Sequence, residues 1–206
     1  MILTTTTAKS GKINLYTDGE YRFSVPAEVW FANAYRDGDE IEEEELAALQ
    51  TAADSVFAYE NALRLLSLRA HSEKELTDKL KRKYKSAAAK QAVEKCRELG
   101  LIDDEKFAVM LADELVRRKH YAPKRVENEL ISRGIDRHIA QSAAQTLDID
   151  EKISIIDIID KLCPQDTVPD AKTKKRIINR LLRLGYAPHE VFDTVENLGW
   201  NEEDTE

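Results

Sequence analysis

Cysteine is scarce in this chain: Cys96 and Cys163 are the only two in 206 residues. Two distant cysteines do not make the cross-linked framework of a small secreted domain. The start, MILTTTTAKSGK, lacks a basic lead, an apolar stretch and a small-residue cleavage site, so no export signal is read and a reducing, cytoplasmic setting is expected. No apolar run approaches the roughly 18 residues that span a bilayer, so no membrane segment is expected. Histidine is scarce too. His71, His120, His138 and His189 lie far apart. None is read as having a ligand one turn away that would complete a metal site, and no close cysteine pair offers a zinc knuckle. The seven glycines fall mostly where helices should stop, which leaves no phosphate-cradling loop. Ser72 has no positioned base and reads as a helix cap. Asp103, Asp104 and Glu105 read as charges favouring a helix N-terminus rather than a divalent-ion site. Cys96 sits on an apolar helical stripe and reads as packing. The expectation is a non-enzymatic chain with no catalytic residue, cofactor or metal.

What the chain does have is charge and repetition. The net charge of −8 is unevenly spread: residues 1–55 carry −7, residues 56–135 carry +5 and residues 136–206 carry −6. A basic middle between acidic ends suits a mixed-charge protein–nucleic acid assembly better than naked nucleic acid. Leu80, Leu130 and Leu181 recur at spacings of 50 and 51 residues, and Tyr84, Gly134 and Gly185 stand four residues after each, where a middle helix ends. Such a period signals tandem helical units that bury their faces against one another and offer a long surface, not a pocket.

The fold class expected is mainly α, with tandem three-helix repeats in a curved, elongated array behind a small N-terminal β-hairpin region. The segments are 1–50 for the hairpin and a short helix, 54–102, 103–148 and 149–200 for the three repeats, and 201–206 for a frayed tail. In the first segment Ile13 and Leu15, then Tyr21, Phe23 and Val25, alternate with polar residues around Asp18-Gly19, a tight-turn signal. Residues 27–35 read as a short helix with Trp30, Phe31 and Ala34 on one side, and Glu42–Glu45 opens the next helix. Tyr59, Leu63, Leu66 and Ala70 are expected to share a buried face. Ser72 with Glu75 forms a capping-box pattern, Ser86 caps a third helix, Pro123 fits a first helical turn and Asp136 caps the helix after Gly134. In the third repeat a break runs through Pro164 and Pro169, and hinge bending at 147–150 is open. Leu99 and Leu198 are placed on apolar stripes.

Cations gather near the same part of each repeat: Lys79 to Lys85 around Tyr84, Arg117 to Arg125 around Tyr121, and Lys172 to Arg183. A recurring basic stripe would engage phosphates or acidic protein loops. Cations near helix C-termini also complement the helix dipole without any partner, and the residues alone leave both readings open.

Three strings in order, ALRLLSLRAHSEKELTDKL, ELGLIDDEKFA and APKRVENELISRGID, strongly resemble the RecX family of recombination regulators. The resemblance is close over 56–148 and looser over 149–200, and LYTDGEYRFSV is similar to an N-terminal extension of some members. His120 and Tyr84 depart from it, standing where glycines are common in the family. The resemblance implies tandem three-helix units and a RecA-binding regulator that lodges on the RecA–DNA filament and limits its growth, ATPase, strand exchange and coprotease activity. The expected partner is the RecA filament on single-stranded DNA, bound by a monomer, with Arg69, Lys81, Arg82, Arg117, Arg118, Lys124, Arg125 and Arg133 among the basic residues as candidate contact residues. The alternatives are a general nucleic-acid-binding helical module, for which weak direct DNA binding would suffice, and a structural adaptor.

Overall fold

The computed structural model describes residues 1–163 and 169–200. The chain divides into two compact units, Met1–Asp103 and Asp104–Glu206.

The first unit opens with a three-stranded antiparallel sheet, β1 (Leu3–Thr7), β2 (Ile13–Thr17) and β3 (Glu20–Val25), in the order β1-β2-β3. The β2–β3 hairpin is the one expected. Its turn residues Asp18 and Gly19 have φ of 51° and 82°, the paired positive values of the tight turn whose twist matches the flanking strands. β1 is an addition to the expectation. Its run of threonines hides it, because only Leu3 is buried and the other residues lack apolar alternation. β-branched threonine still favours an extended backbone, and β1 pairs with β2 from Leu3↔Thr17 to Thr7↔Ile13 while its outward Leu3 and Thr5 amides donate to the Asp39 carbonyl and the Asp37 carboxylate. Leu3, Ile13, Leu15 and Val25 pack with Trp30 and Ile41.

The short helix α1 covers only Ala27–Phe31, less than the 27–35 expected. Trp30 enters the core while Phe31 is 75% exposed. Helix α2 (Glu43–Leu68) starts with a reciprocal capping box between Glu42 and Glu45 and runs straight through residues 51–53. At about 100° per residue, Leu46, Leu49 and Ala53 lie on one side and Ala58 and Ala62 on nearly the opposite side. The helix therefore seals the sheet with its first half and builds a three-helix domain with its second. The buried residues of that second half are alanines rather than the Leu63 and Ala70 expected, both of which are exposed. Their small side chains let α4 (Ser86–Glu98) approach with Ala88, Ala89 and Ala92. α3 (Glu73–Lys81) adds Leu76 and Leu80, and Cys96 packs in the same core. Burial pushes the Cys96 thiol up from its ordinary pKa. The cap position of α4 is Lys85, with Ser86 the first helical residue and no side-chain cap. Leu99 follows that helix at its end and is 58% exposed.

The described residues of the second unit form six helices. α5 (Asp104–Lys119), α6 (Pro123–Ser132) and α7 (Arg137–Gln145) enclose Phe107, Leu111, Leu115, Val126 and Leu130. Pro123 occupies the first turn of α6, and the Asp136 carboxylate accepts the His138 amide at the start of α7. α8 (Glu151–Leu162), α9 (Ala171–Leu184) and α10 (Pro188–Asn197) enclose Ile155, Ile159, Ile177, Leu181, Val191, Val195 and Trp200, with Leu198 outside at 40% exposure. Leu80, Leu130 and Leu181 are each 0% exposed, one in each three-helix core. Pro164 and the 201–206 tail lie outside the described residues.

Within this unit the third set of helices is joined to the second by backbone. The Ala122 amide donates to the Leu184 carbonyl at 2.9 Å, and the Tyr186 hydroxyl donates to the His120 carbonyl at 3.2 Å. Ala122 lies in the same apolar cluster as Ile155 and Leu181. His120 has φ of 55°, the left-handed region that glycine adopts most easily, so the histidine carries a glycine-like turn.

Candidate partner-binding surfaces

The three candidate cations of the first unit occupy two settings. Arg69 caps the C-terminus of α2, and its Nη1 donates to the Ala70 carbonyl at 2.7 Å and to Glu75 Oε2 at 3.0 Å. The buried His71 donates from Nδ1 to the same oxygen at 3.2 Å, and Ser72 Oγ accepts the Glu75 amide at 3.1 Å, the capping role expected of it. Burial pushes the His71 imidazole below its ordinary pKa; Arg69 and Lys79 add to this, and the hydrogen bond to Glu75 opposes it. Arg69 therefore staples the α2–α3 turn. Sequence reading missed Glu75 as the turn-spaced partner of His71; the signal was a carboxylate four residues on. Lys81 and Arg82 lie exposed at the end of α3 with no ion pair among the described residues.

The other five candidates stand on α5 and α6. Arg117 and Arg118, 79% and 77% exposed, face Asp113 at 3.7 Å and Glu114 at 3.1 Å one turn back. Lys124 pairs with Glu127 at 2.8 Å. Arg133 pairs with Glu129 at 3.2 Å, and both side chains are under a third exposed, which makes this pair a part of the α6 end. The Arg125 guanidinium stands 5.4 Å from the Tyr121 ring centre, close enough for cation–π attraction. Exposed pairs of this kind stabilise by about 0–1 kcal/mol, so Arg117, Arg118 and Lys124 exchange partners at little loss. Each brings a carboxylate with it. α3 carries three basic and three acidic residues, α5 four and four, and α6 two and two. These surfaces alternate in sign and match a partner surface of mixed charge better than a plain polyanion.

A shallow groove in the first unit was not foreseen. Lys12, from the β1–β2 turn, sits 4.2 Å over the Phe57 ring of α2, beside Asn61, Arg64, Lys83 and Tyr84. Among the described residues no group of three or more His, Cys, Asp or Glu is arranged to hold a metal ion, and no helix is long and apolar enough to cross a membrane.

Two family models match the chain: RecX, first three-helix domain, over residues 58–96, and RecX, second three-helix domain, over residues 103–143. The Regulatory protein RecX of Caldanaerobacter subterraneus subsp. tengcongensis is 32% identical over 145 residues, spanning 70% of this chain and 73% of the relative. The chain belongs to the RecX family. The RecX of Clostridium beijerinckii is 28% identical over 181 residues, 85% of this chain and 84% of the relative. A crystal structure of regulatory protein RecX shares the fold with a TM-score of 0.63 at 22% identity, covering 95% of this chain and 97% of that one. The matched RecX domains hold α3 and α4 in one case and α5, α6 and most of α7 in the other, so all eight candidate cations fall within them. The sheet and the helices α8, α9 and α10 lie outside both.

Proposed function

We propose that this chain regulates a RecA-type recombinase by binding its filament on single-stranded DNA and altering filament assembly, ATP hydrolysis and strand exchange. Membership of the RecX family carries the reading, because it makes the chain a regulatory protein and brings recombinase filaments forward as the partner. The surface chemistry supports it. Exposed, readily exchanged ion pairs on α5 and α6 and the bare cations at the end of α3 suit a protein partner of mixed charge. A ligand shifts an assembly equilibrium only by binding one state more tightly than another. The chain would act by preferring protomers in one filament arrangement.

The contact residues proposed are Lys81 and Arg82 on the first domain and Arg117, Arg118, Lys124 and Arg125 on the second. Arg69 and Arg133 hold their own turns and act by positioning these neighbours. The test is co-sedimentation with recombinase filaments assembled on single-stranded DNA. The wild-type chain pellets with the filament, and the variant R117E/R118E pellets at least ten-fold less. Equal pelleting of the two, or no pelleting of the wild type, would overturn the reading.

A further inference from the structure

Helix α9 differs in charge from every helix just described. Its sequence, AKTKKRIINRLLRL, holds six basic residues and no acidic one. Ile177 and Leu181 face the core, and Lys174 Nζ turns inward to the Trp200 carbonyl. Lys172, Lys175, Arg176, Arg180 and Arg183 are exposed on the opposite side, where the spacing of three and four residues lines them up over about 16 Å of helix. None of the five forms an ion pair among the described residues. Asn179 stands in the same row, and most of the row lines a shallow concavity. The nearby Asp170 carboxylate is the N-cap of α9 and accepts the Thr173 amide at 2.9 Å.

This arrangement works against the free helix. Lys172 and Arg176, and Arg176 and Arg180, are like charges one turn apart and repel. Lys172 and Lys175 stand in the first turns, where the helix dipole disfavours cations. α5 and α6 relieve the same strain with carboxylates one turn away; α9 carries none of its own, and the Asp170 N-cap carboxylate attracts Lys172 and Arg176 at its start. A row of positive charge with no ion pair along the helix itself fits a regular polyanion, and guanidinium groups suit phosphate oxygens.

We propose that the exposed face of α9 is a binding site for the phosphodiester backbone of a single-stranded nucleic acid, separate from the sign-alternating surfaces of α5 and α6. It does not rest on the recombinase reading, because its assay contains no recombinase. The full chain is titrated into a fluorescent oligo-dT strand, and anisotropy is read from 50 to 200 mM salt. With about four phosphates neutralised, log K against log[salt] has a slope of about −3, and affinity falls on the order of 50-fold over that range. R176Q and R180Q each flatten the slope by about 0.7, and K175Q/R176Q/R180Q/R183Q removes binding. The charge-preserving K175R/R176K/R180K/R183K retains it, as does R117Q/R118Q. Polyglutamate at equal charge displaces the strand poorly. The proposal is overturned if the wild type does not bind at 50 mM salt, if R176Q and R180Q leave the slope unchanged, if R117Q/R118Q loses as much as the quadruple glutamine variant, or if polyglutamate competes as well as the strand.

Discussion

Replacing Gly185 with alanine adds one methyl group at the junction between α9 and the start of α6. Two separate effects oppose it. Gly185 has φ of 93°, a left-handed conformation that costs an alanine about 1–2 kcal/mol. The new Cβ would also stand 2.5 Å from Arg125 Cβ, 3.0 Å from the Arg125 amide nitrogen and 3.2 Å from its Cα. Those atoms are fixed by the first turn of α6 and cannot swing aside as the end of a long side chain can. Relieving the clash forces the helices apart and strains the Ala122–Leu184 and Tyr186–His120 hydrogen bonds, an overpacking penalty of about 1–3 kcal/mol. The sum is about 2–5 kcal/mol. Gly199 supplies the control, because its φ is 73° but a Cβ there meets nothing within 4 Å, so Gly199→Ala carries only the conformational part. The two tryptophans make the assay local: Trp30 is buried in the sheet core and Trp200 in the third three-helix core. On a Trp30→Phe background, Trp200 fluorescence follows urea unfolding of the second unit. With an m-value of about 2 kcal/mol/M, Gly185→Ala lowers the midpoint by about 1–2.5 M, and Gly199→Ala by about half as much. If the two substitutions give equal shifts, close contact at Arg125 contributes nothing and the reasoning is wrong.

Other perturbations follow from the same structure. Leu80→Ala, Leu130→Ala and Leu181→Ala each empty a fully buried site and destabilise by about 2–5 kcal/mol; Trp30 reports the first and Trp200 the other two, and a loss below 1 kcal/mol at any site would remove that leucine from the repeat core. His71 has a folded pKa held below the unfolded value of about 6.5, so the unfolded state binds the proton first. Stability of the first unit is therefore flat above about pH 6.5 and falls as the pH drops from there toward the folded pKa; His71→Gln makes the urea midpoint less pH-dependent in that window, and an unchanged dependence would exonerate His71. Leu49→Ala loosens the contact of α2 with the sheet and shifts the Trp30 transition by about 2–5 kcal/mol while leaving the Trp200 transition in place.

The parts of the fold that could be read in the sequence were those where one local signal sufficed. Asp18-Gly19 named its hairpin, Ser72 and Asp136 named their caps, and the spacing of Leu80, Leu130 and Leu181 named the three cores. What escaped depended on partners distant in sequence. β1 carries one buried residue and is a strand because β2 lies beside it. The face of α2 switches midway because two different cores claim its halves, so no single stripe runs along it, and the apolar spacing points to Leu63 where the fold buries Ala58 and Ala62. The candidate surface was legible as a list of cations but not as a pattern of pairing. Only the fold shows that Arg69 and Arg133 hold turns, that Arg117 and Arg118 lie beside carboxylates, and that the exposed cations of α9 form no ion pair among the described residues.

The measurement that bears most directly on the function is ATP hydrolysis by RecA on single-stranded DNA as this chain is titrated in. The hydrolysis rate is expected to change with dose, the change being complete near equimolar protein and weakened by R117E/R118E. A rate that stays constant through equimolar addition would contradict it.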